Sequence, residues 1–342
     1  MNVNIGVDIG GRNARMCLKG RGLVMDQPSA WALRGGGEVL GDEAFALLGR
    51  EPRGLQVVFP LAGGAVAHEE ALFGWLGHLV RRAASVGLTH RPRLLIARAP
   101  SMPPTQMKRL VAMALDAGAL SCALVRSDMC AALGAGLGIA APRGNLVIDV
   151  GASFVAAALI VLNTVVASDS LPLGMAGVDE AIVRMLSSRY ALHVGPRTAE
   201  EVKMSLASAA RGAELVEQVA GLDGESGFPR TVQVAIADVV QVVEPLLEPI
   251  VQLAERMMRL AGHEMMIDLM DGGIALTGGG AQVYGLDRMI AERTGVPCRV
   301  ADAPALATAR GLAVILDHPD EYDRLGEAHQ TILEKRLPGA RR

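Results

Sequence analysis

The sequence predicts an α/β fold built from two related halves with a ligand cleft between them. Two similar stretches support this prediction: residues 3–13 and 145–153 each run from a short apolar strand through an aspartate (Asp8, Asp149) into a glycine-containing turn. In both halves a three-strand meander is followed by alternating helices and strands, a pattern typical of α/β proteins. Because backbone N–H groups in such turns can approach a phosphate, two facing turns predict a phosphate-binding cleft.

Length and composition narrow the class of protein. A chain of 342 residues suggests roughly two domains. The net charge of −3 and the scattered basic residues give no nucleic-acid signature, so we expect no nucleic-acid partner. The four cysteines lack metal-ligand spacing and are expected to be reduced and mostly buried in a cytoplasmic protein. The most apolar stretch, 155–166, is too short to span a bilayer, although association with a membrane surface stays open.

The first half is predicted from apolar periodicity and turn residues. Leu72, Leu76 and Leu79 form one stripe of an amphipathic helix. The prolines at 103 and 104 open another helix, which ends near Gly118. The predicted strands are 3–9, 15–19, 23–25, 93–97 and 119–125, and the predicted helices are 41–49, 69–84, 103–118 and 129–137.

The second half repeats this pattern from residue 142. Pro245 and Pro249 are expected to kink the helix 238–260 or to delay its start. Residues 221–227 read as a polar turn, and the polar stretch 317–342 as a surface helix with a loose end. The predicted strands are 145–150, 155–162, 165–168, 231–234, 274–277 and 298–301, and the predicted helices are 178–190, one from 198, 238–260, one from 286, and 305–316.

A series of short motifs covers most of the chain. They are Gly10-Gly11-Arg12-Asn13, Lys19-Gly20-Arg21-Gly22, Gly41-Asp42-Glu43-Ala44, Leu133-Gly134-Ala135-Gly136-Leu137, the run from Gly195 to Lys203, Gly227-Phe228-Pro229-Arg230-Thr231-Val232 and Leu276-Thr277-Gly278-Gly279-Gly280-Ala281. In this order, along residues 3–316, they resemble the MreB family of bacterial actins. The resemblance implies an actin-like fold: two domains, each with a duplicated ribonuclease-H-like unit, around a nucleotide cleft. It places the first domain at 1–141, the second at 142–316, and a polar tail at 317–342.

The resemblance also implies which residues contact a nucleotide. Gly278, Gly279 and Gly280 match a turn that passes under the sugar and base, and Glu200 and Lys203 match helix residues beside them. Taken alone, Glu200 and Lys203 also fit a capped surface helix with one ion pair. Asp8 and Asp149 would hold Mg²⁺ through water. The full set of expected ATP or ADP contacts is Gly10, Gly11, Arg12, Asn13, Gly151, Ala152, Ser153, Phe154, Glu200, Lys203, Gly278, Gly279, Gly280 and Ala281.

The phosphate loops depart from the family pattern. Gly11 and Ala14 replace two threonines of the first loop, so two hydroxyl donors are lost. In the second loop, Ala152-Ser153-Phe154 stands where the family usually has Gly-Gly-Thr. Phe154 therefore brings a ring to the position of a hydroxyl, and Ser153 compensates for that loss only in part.

The catalytic position is also changed. By resemblance, Ser127 replaces a glutamate that positions the attacking water, and a serine hydroxyl cannot act as a carboxylate base near neutral pH. Asp128, one residue further, is a weak substitute whose side chain should point differently. We therefore expect weak or absent ATP hydrolysis, which leaves open whether the chain acts as an enzyme.

Two classes of function follow from the resemblance. The first is a filament-forming or membrane-associated scaffold for cell shape and cell-wall synthesis, located in the cytoplasm or at the inner face of the cell membrane. Its expected partners are further copies of the chain and membrane proteins of cell-shape control and wall synthesis. The alternative is a non-polymerising actin-fold adaptor, a pseudo-ATPase that binds cell-wall or division partners. Electron microscopy of the purified protein would separate the two classes.

Overall fold

The computed structural model describes residues 4–34, 37–85, 91–206, 216–283, 285–322 and 325. Its strands are β1 (Ile5–Ile9), β2 (Asn13–Leu18), β3 (Gly22–Pro28), β4 (Trp31–Arg34), β5 (Gly37–Leu40), β6 (Leu61–Ala62), β7 (Ala65–Val66), β8 (Arg93–Arg98), β9 (Ser121–Arg126), β10 (Asn145–Val150), β11 (Val155–Val161), β12 (Thr164–Leu171), β13 (Leu192–His193), β14 (Val216–Asp223), β15 (Pro229–Ala235), β16 (Ile274–Thr277) and β17 (Cys298–Val300). Its α-helices are α1 (Gly41–Ala46), α2 (Glu69–Ser85), α3 (Pro104–Asp116), α4 (Ser127–Gly134), α5 (Ala176–Tyr190), α6 (Pro196–Leu206), α7 (Ile236–Leu260), α8 (His263–Gly272), α9 (Leu286–Thr294) and α10 (Ala307–Asp317).

Two five-stranded sheets share one topology. The first sheet has the order β3-β2-β1-β8-β9, and the second has the order β12-β11-β10-β16-β17. In each sheet the central strand, β1 or β10, is the first strand of an antiparallel three-stranded meander. On its other side it pairs in parallel with β8 or β16. The predicted α/β class and the repeated unit are thereby confirmed. In a parallel pair the carboxyl ends of both strands lie at the same edge of the sheet. The turn after β1 therefore lies beside the end of β8, and the turn after β10 lies beside the end of β16.

The hairpin of β14 and β15 corrects one sequence prediction. The sequence predicts a turn at residues 221–227, but β14 continues to Asp223, and Val219 pairs with Val232 across the hairpin. The turn itself is shorter, because the Asp223 carboxylate accepts hydrogen bonds from the backbone N–H groups of Glu225 and Ser226. An aspartate that caps its own turn in this way allows the strand to run up to it.

Helix α7 runs without interruption through Pro245 and Pro249, so the expected late start is wrong. A proline inside a helix removes a backbone hydrogen bond and costs about 3 kcal/mol. Here the loss is offset by burial of an apolar face of the helix, to which Val243, Leu247 and Ile250 belong. Each such side chain contributes roughly 1.5–3 kcal/mol when it is fully buried.

Helices α4 and α10 cross between the two sheets at close range. A Cβ atom on Gly134 would lie 1.8 Å from the Ala307 carbonyl oxygen, and one on Gly311 would lie 1.8 Å from the Cys130 carbonyl oxygen. Only glycine permits this approach of two backbones. Although α10 lies in the half predicted to span 142–316, it packs against β1, β2 and β8 of the first sheet. The boundary between 141 and 142 stays a prediction.

The chain after α10 continues along the same core. Tyr322 and Leu325 are buried in the cluster formed by α4, α10 and both sheets. Residue 325 therefore does not belong to a solvated surface helix, and residues 326–342, the rest of the predicted tail, lie outside the described part of the chain. Among the helices that the structure describes, none combines the length and apolarity required to cross a bilayer.

Candidate functional site

A cavity of about 1060 Å³ lies between the two halves, at the ends of β1 and β10. Its walls come from the turns after these strands, from α5 and α6, and from the glycine turn after β16. Of the residues predicted from sequence, the following line it: Asp8, Gly10, Gly11, Arg12, Asn13, Ser127, Asp149, Gly151, Ala152, Ser153, Phe154, Glu200, Lys203, Gly278, Gly279 and Gly280. Segments far apart in the sequence thus meet at one site of a size that accommodates a nucleotide.

Asp128 and Ala281, unlike the other predicted residues, are not among those that line the cavity. Asp128 is fully buried, and its carboxylate accepts hydrogen bonds from Arg126 Nε at 3.0 Å and Nη2 at 2.6 Å. The backbone N–H of Met129 donates to the same carboxylate. Ala281 packs into the core of the second half. A carboxylate that is held in this way is not available to orient water in the cleft.

The glycine turn after β16 is required by close packing. Gly278 has φ +79°, and a Cβ atom there would lie 2.3 Å from the Val150 carbonyl oxygen and 2.8 Å from Asp149 Oδ1. A Cβ atom on Gly280 would lie 2.4 Å from Val150 Cγ1. Gly279, by contrast, has open space where a Cβ atom would stand. The turn is therefore fixed against the end of β10, and its backbone forms an uncovered part of the cavity wall.

The two predicted phosphate loops touch each other. A Cβ atom on Gly11 would lie 2.2 Å from Ser153 Oγ, so the glycine that replaces the family's threonine allows the loops to meet. Each loop is closed by one backbone hydrogen bond, from Gly10 N to the Asn13 oxygen and from Gly151 N to the Phe154 oxygen. Phe154 lies on the wall and leaves the cavity open.

Arg12 and Glu200 join the two walls of the cavity. Arg12 Nε donates to Glu200 Oε1 at 2.8 Å, and Arg12 Nη2 donates to Oε2 at 2.7 Å. The guanidinium carbon also lies 3.8 Å from the centre of the Phe45 ring. Burial alone would raise the pKa of Glu200, but the bonds and charge of Arg12, together with the charge of Lys203, outweigh burial and lower the pKa. This pair therefore connects the first loop to α6 across the cleft.

Lys203 pairs with Asp179 of α5 and not with Glu200. Its ammonium donates to Asp179 Oδ2 at 2.9 Å, and both side chains are half-buried on the cavity wall. Burial raises the pKa of Asp179, and the bond from Lys203 opposes that rise. The simple surface ion pair that Glu200 and Lys203 could form on one helix is therefore absent from the structure.

Asp149 stands at the floor of the cleft. Thr277 Oγ1 donates to its Oδ1 at 3.0 Å. Desolvation raises the pKa of Asp149 to about 7; the charges of Asp8 and Asp128 add to the rise, and the Thr277 hydrogen bond opposes it. Burial therefore disfavours the ionised form of this carboxyl.

Five buried polar atoms on the cavity wall make no hydrogen bond within the described part of the chain. They are Arg12 Nη1, Arg15 Nε, Ser127 Oγ, Ser153 Oγ and Asp179 Oδ1. Buried polar atoms of a folded protein nearly always have partners, so these atoms point to a polar ligand in the cavity. A guanidinium and a hydroxyl at the joined loops fit phosphate oxygens, so the residues present fit a nucleotide.

The cavity does not fit the magnesium ion that the sequence predicts. Asp8, one of the two aspartates expected to hold that ion through water, forms an ion pair with Arg15, whose Nη1 lies 3.5 Å from Asp8 Oδ2. Within the described residues, no group of three or more His, Cys, Asp or Glu side chains could hold a metal ion. The sequence does not predict Arg15, Asp26 or Asp179 at the site. The hairpin of β1 and β2 contains the signal for Arg15, because its register places that residue opposite Asp8.

Two related sheets around such a cleft, with a glycine turn at each phosphate position, define an actin-like protein. Residues 2–324 match the family model described as MreB/Mbl protein, and the chain belongs to this family. The predicted recognition and the actin-like fold class are confirmed.

Relatives and solved structures agree over nearly the full length. The cell shape-determining protein Mbl of Bacillus subtilis (strain 168) is 33% identical over 94% of this chain and 98% of its own length. The cell shape-determining protein MreB of Escherichia coli (strain K12) is 31% identical over 93% of this chain and 94% of its own. The structure of MreB5 of Spiroplasma citri bound to ADP has a TM-score of 0.87 at 25% identity, covering 94% of this chain and 97% of that one. The MamK double helical filament, at 19% identity and a TM-score of 0.77 over 92% and 98% of the two chains, supports the fold alone.

Proposed function

We propose that this chain is a filament-forming cytoskeletal protein of cell-shape determination that binds ATP or ADP and hydrolyses ATP only weakly. Membership of the MreB/Mbl family and the names of the relatives from B. subtilis and E. coli support the cytoskeletal role. The ADP-bound structure of MreB5 and the cavity with its unpartnered polar atoms support nucleotide binding.

The proposed contacts divide between the two ends of the cavity. Gly278, Gly279 and Gly280 offer a backbone surface that a sugar and base can approach closely. Arg12 Nη1 and Ser153 Oγ, at the joined loops, offer unpartnered donors for phosphate oxygens. The bound nucleotide would supply the phosphoanhydride bond, and these residues would hold and orient it.

The main support for weak ATP hydrolysis is the position of Ser127. It begins α4, is 6% exposed, lies on the cavity wall and has an unpartnered hydroxyl. A hydroxyl cannot take a proton from water as a carboxylate does. The neighbouring Asp128 is held by Arg126, and burial disfavours the ionised form of Asp149. Loss of such a positioning group lowers a rate by roughly two to four orders of magnitude.

Phosphate release from ATP tests the catalytic part of the proposal. We expect a rate at least about 100-fold below that of MreB of E. coli under the same conditions. Asp149→Ala is the site variant, and Asp302→Ala, at an exposed aspartate outside the cavity, is the matched control. A rate comparable to the relative's, lost in Asp149→Ala and kept in Asp302→Ala, would contradict weak hydrolysis.

Electron microscopy with ATP, with ADP and without nucleotide tests the cytoskeletal part. Filaments in any of these conditions would support it. Their absence in all of them, with a folded monomer, would favour the non-polymerising adaptor. Two further parts of the proposal rest on the family resemblance: a position at the inner face of the membrane, and partners in wall synthesis. Co-sedimentation with anionic lipid vesicles tests the membrane position.

A further inference from the structure

Asp8 and Arg15 face each other across the β1–β2 hairpin at the phosphate end of the cavity. They are register partners of the antiparallel pair, and Arg15 Nη1 lies 3.5 Å from Asp8 Oδ2. Both side chains are 14% exposed. Cross-strand neighbours of opposite charge stabilise each other, and burial strengthens their attraction. A guanidinium therefore stands beside the carboxylate from which the sequence predicts a hydrated magnesium ion.

Arg15 is fixed from its other side as well. Its Nε lies 3.1 Å from Asp26 Oδ1, and Arg15 and Asp26 are register partners in the β2–β3 pair. Asn13 Nδ2 donates to the same Asp26 oxygen at 2.7 Å. If the guanidinium left, Asp8 would keep a buried charge without its partner, an arrangement that is strongly destabilising. Asp8 of β1 and Asp26 of β3 thus hold the Arg15 guanidinium in place.

The fixed guanidinium belongs to the cavity. Asp8, Arg15 and Asp26 line it together with the two joined loops. Despite the short distance to Asp26, Arg15 Nε makes no aligned hydrogen bond and counts among the buried polar atoms without one. A guanidinium offers five N–H donors in a planar fork that suits phosphate oxygens. Arg15 consequently combines a fixed positive charge with spare donor capacity at the phosphate end.

We propose that Arg15 replaces the divalent cation, so that this cleft binds the polyphosphate of ATP or ADP without magnesium. The proposal rests on the nucleotide binding proposed above. Arg15 neutralises Asp8, which removes the repulsion between that carboxylate and a phosphate. A hydrated magnesium ion at the same place would meet the guanidinium as a like charge within a few ångströms. The departure from the family's use of Mg²⁺ therefore follows from the β1–β2–β3 meander, whose register places Arg15 between Asp8 and Asp26.

Binding of a fluorescent ADP analogue, titrated with excess EDTA and separately with millimolar Mg²⁺, tests this proposal. We expect the wild-type Kd to agree within about twofold between the two conditions. Arg15→Leu should bind at least about tenfold more weakly in EDTA and regain affinity with Mg²⁺, because Asp8 is then free. Arg15→Lys, which keeps the charge, should retain most of the metal-free binding. Arg109→Leu, at an exposed arginine outside the cavity, is the matched control and should bind like wild type.

The outcomes separate this proposal from the one on which it rests. Wild-type binding that requires Mg²⁺ would overturn the replacement by Arg15 and leave nucleotide binding intact. Unchanged metal-free binding in a folded Arg15→Leu protein would overturn it as well. No binding of the analogue in either condition would overturn both proposals. The comparison within the wild type needs no variant, so it decides the question even if Arg15→Leu does not fold.

Discussion

Arg12 and Glu200, 188 positions apart in the sequence, form a two-bond ion pair that spans the cleft between the first phosphate loop and α6. Their side chains are 28% and 20% exposed, so the pair is partly shielded from water. This contact links the two halves across the cleft. An ordinary ligand-closed cleft would instead depend on ligand concentration for this part of its stability.

We expect Arg12→Ala and Glu200→Gln each to lower the melting temperature of the nucleotide-free protein by about 2–4 °C, because each leaves a partly buried partner unpaired. The double variant should lose little more than the worse single variant, since both remove the same interaction. Differential scanning fluorimetry of the four proteins measures this cycle. Fully additive losses would show that the two residues do not act as a pair, and Arg109→Ala, in an exposed pair, serves as the control.

Gly278 and Gly279 offer a matched comparison. Gly278→Ala should cost about 2–4 kcal/mol or prevent folding, because its positive φ and the Val150 carbonyl at 2.3 Å leave no room for a Cβ atom. Gly279→Ala should leave the melting temperature within about 1 °C but weaken nucleotide binding, because its methyl group enters the open cavity. Thermal denaturation and titration with a fluorescent ADP analogue check both. Equal stability of the two variants would contradict the packing argument.

Ser127→Glu alone should raise ATP turnover by less than about tenfold. The new carboxylate would line the same cavity as Asp149, whose ionisation is already disfavoured by burial. The triple variant Ser127→Glu, Ala152→Gly, Phe154→Thr should recover nucleotide affinity first and turnover second, because it also restores the second loop. Phosphate release and analogue binding on both proteins measure the two effects. Turnover at the level of MreB of E. coli from Ser127→Glu alone would mean that the second loop is not impaired.

The stability of the protein should depend on pH through Asp149. Its folded pKa, about 7, lies above the ordinary value of 3.8, so the folded state binds more protons between these values and stability falls as pH rises through that window. From pH 6 to pH 8 this group alone should cost about 1.4 kcal/mol, or roughly 2 °C. Asp149→Asn, which keeps an acceptor for Thr277, should remove that part of the slope. Melting temperatures in EDTA without nucleotide, at several pH values, test the difference; parallel curves for both proteins would contradict it.

Local pattern was sufficient for most of the secondary structure and for the class of protein. The two strand–aspartate–glycine stretches became β1 and β10, and α2, α3 and β8 lie within a few residues of their predicted bounds. These features follow from short-range rules of side-chain alternation, helical periodicity and glycine turns. The same motifs, taken in order, identified the family. Local rules failed at α7, where burial of an apolar face outweighed two prolines.

Only the tertiary structure decided how the charges of the cleft are paired. The sequence places Arg12 in a phosphate loop and Glu200 on a helix, but a pair between them requires the two halves to meet. Likewise, Asp128 follows Ser127 directly, yet Arg126 holds it away from the cavity wall. Ion pairs and desolvation depend on distances of a few ångströms between distant segments, and residue order does not encode those distances. The Asp8–Arg15 pair lies between these cases, because a hairpin register fixes it locally while burial at the cavity wall determines its strength.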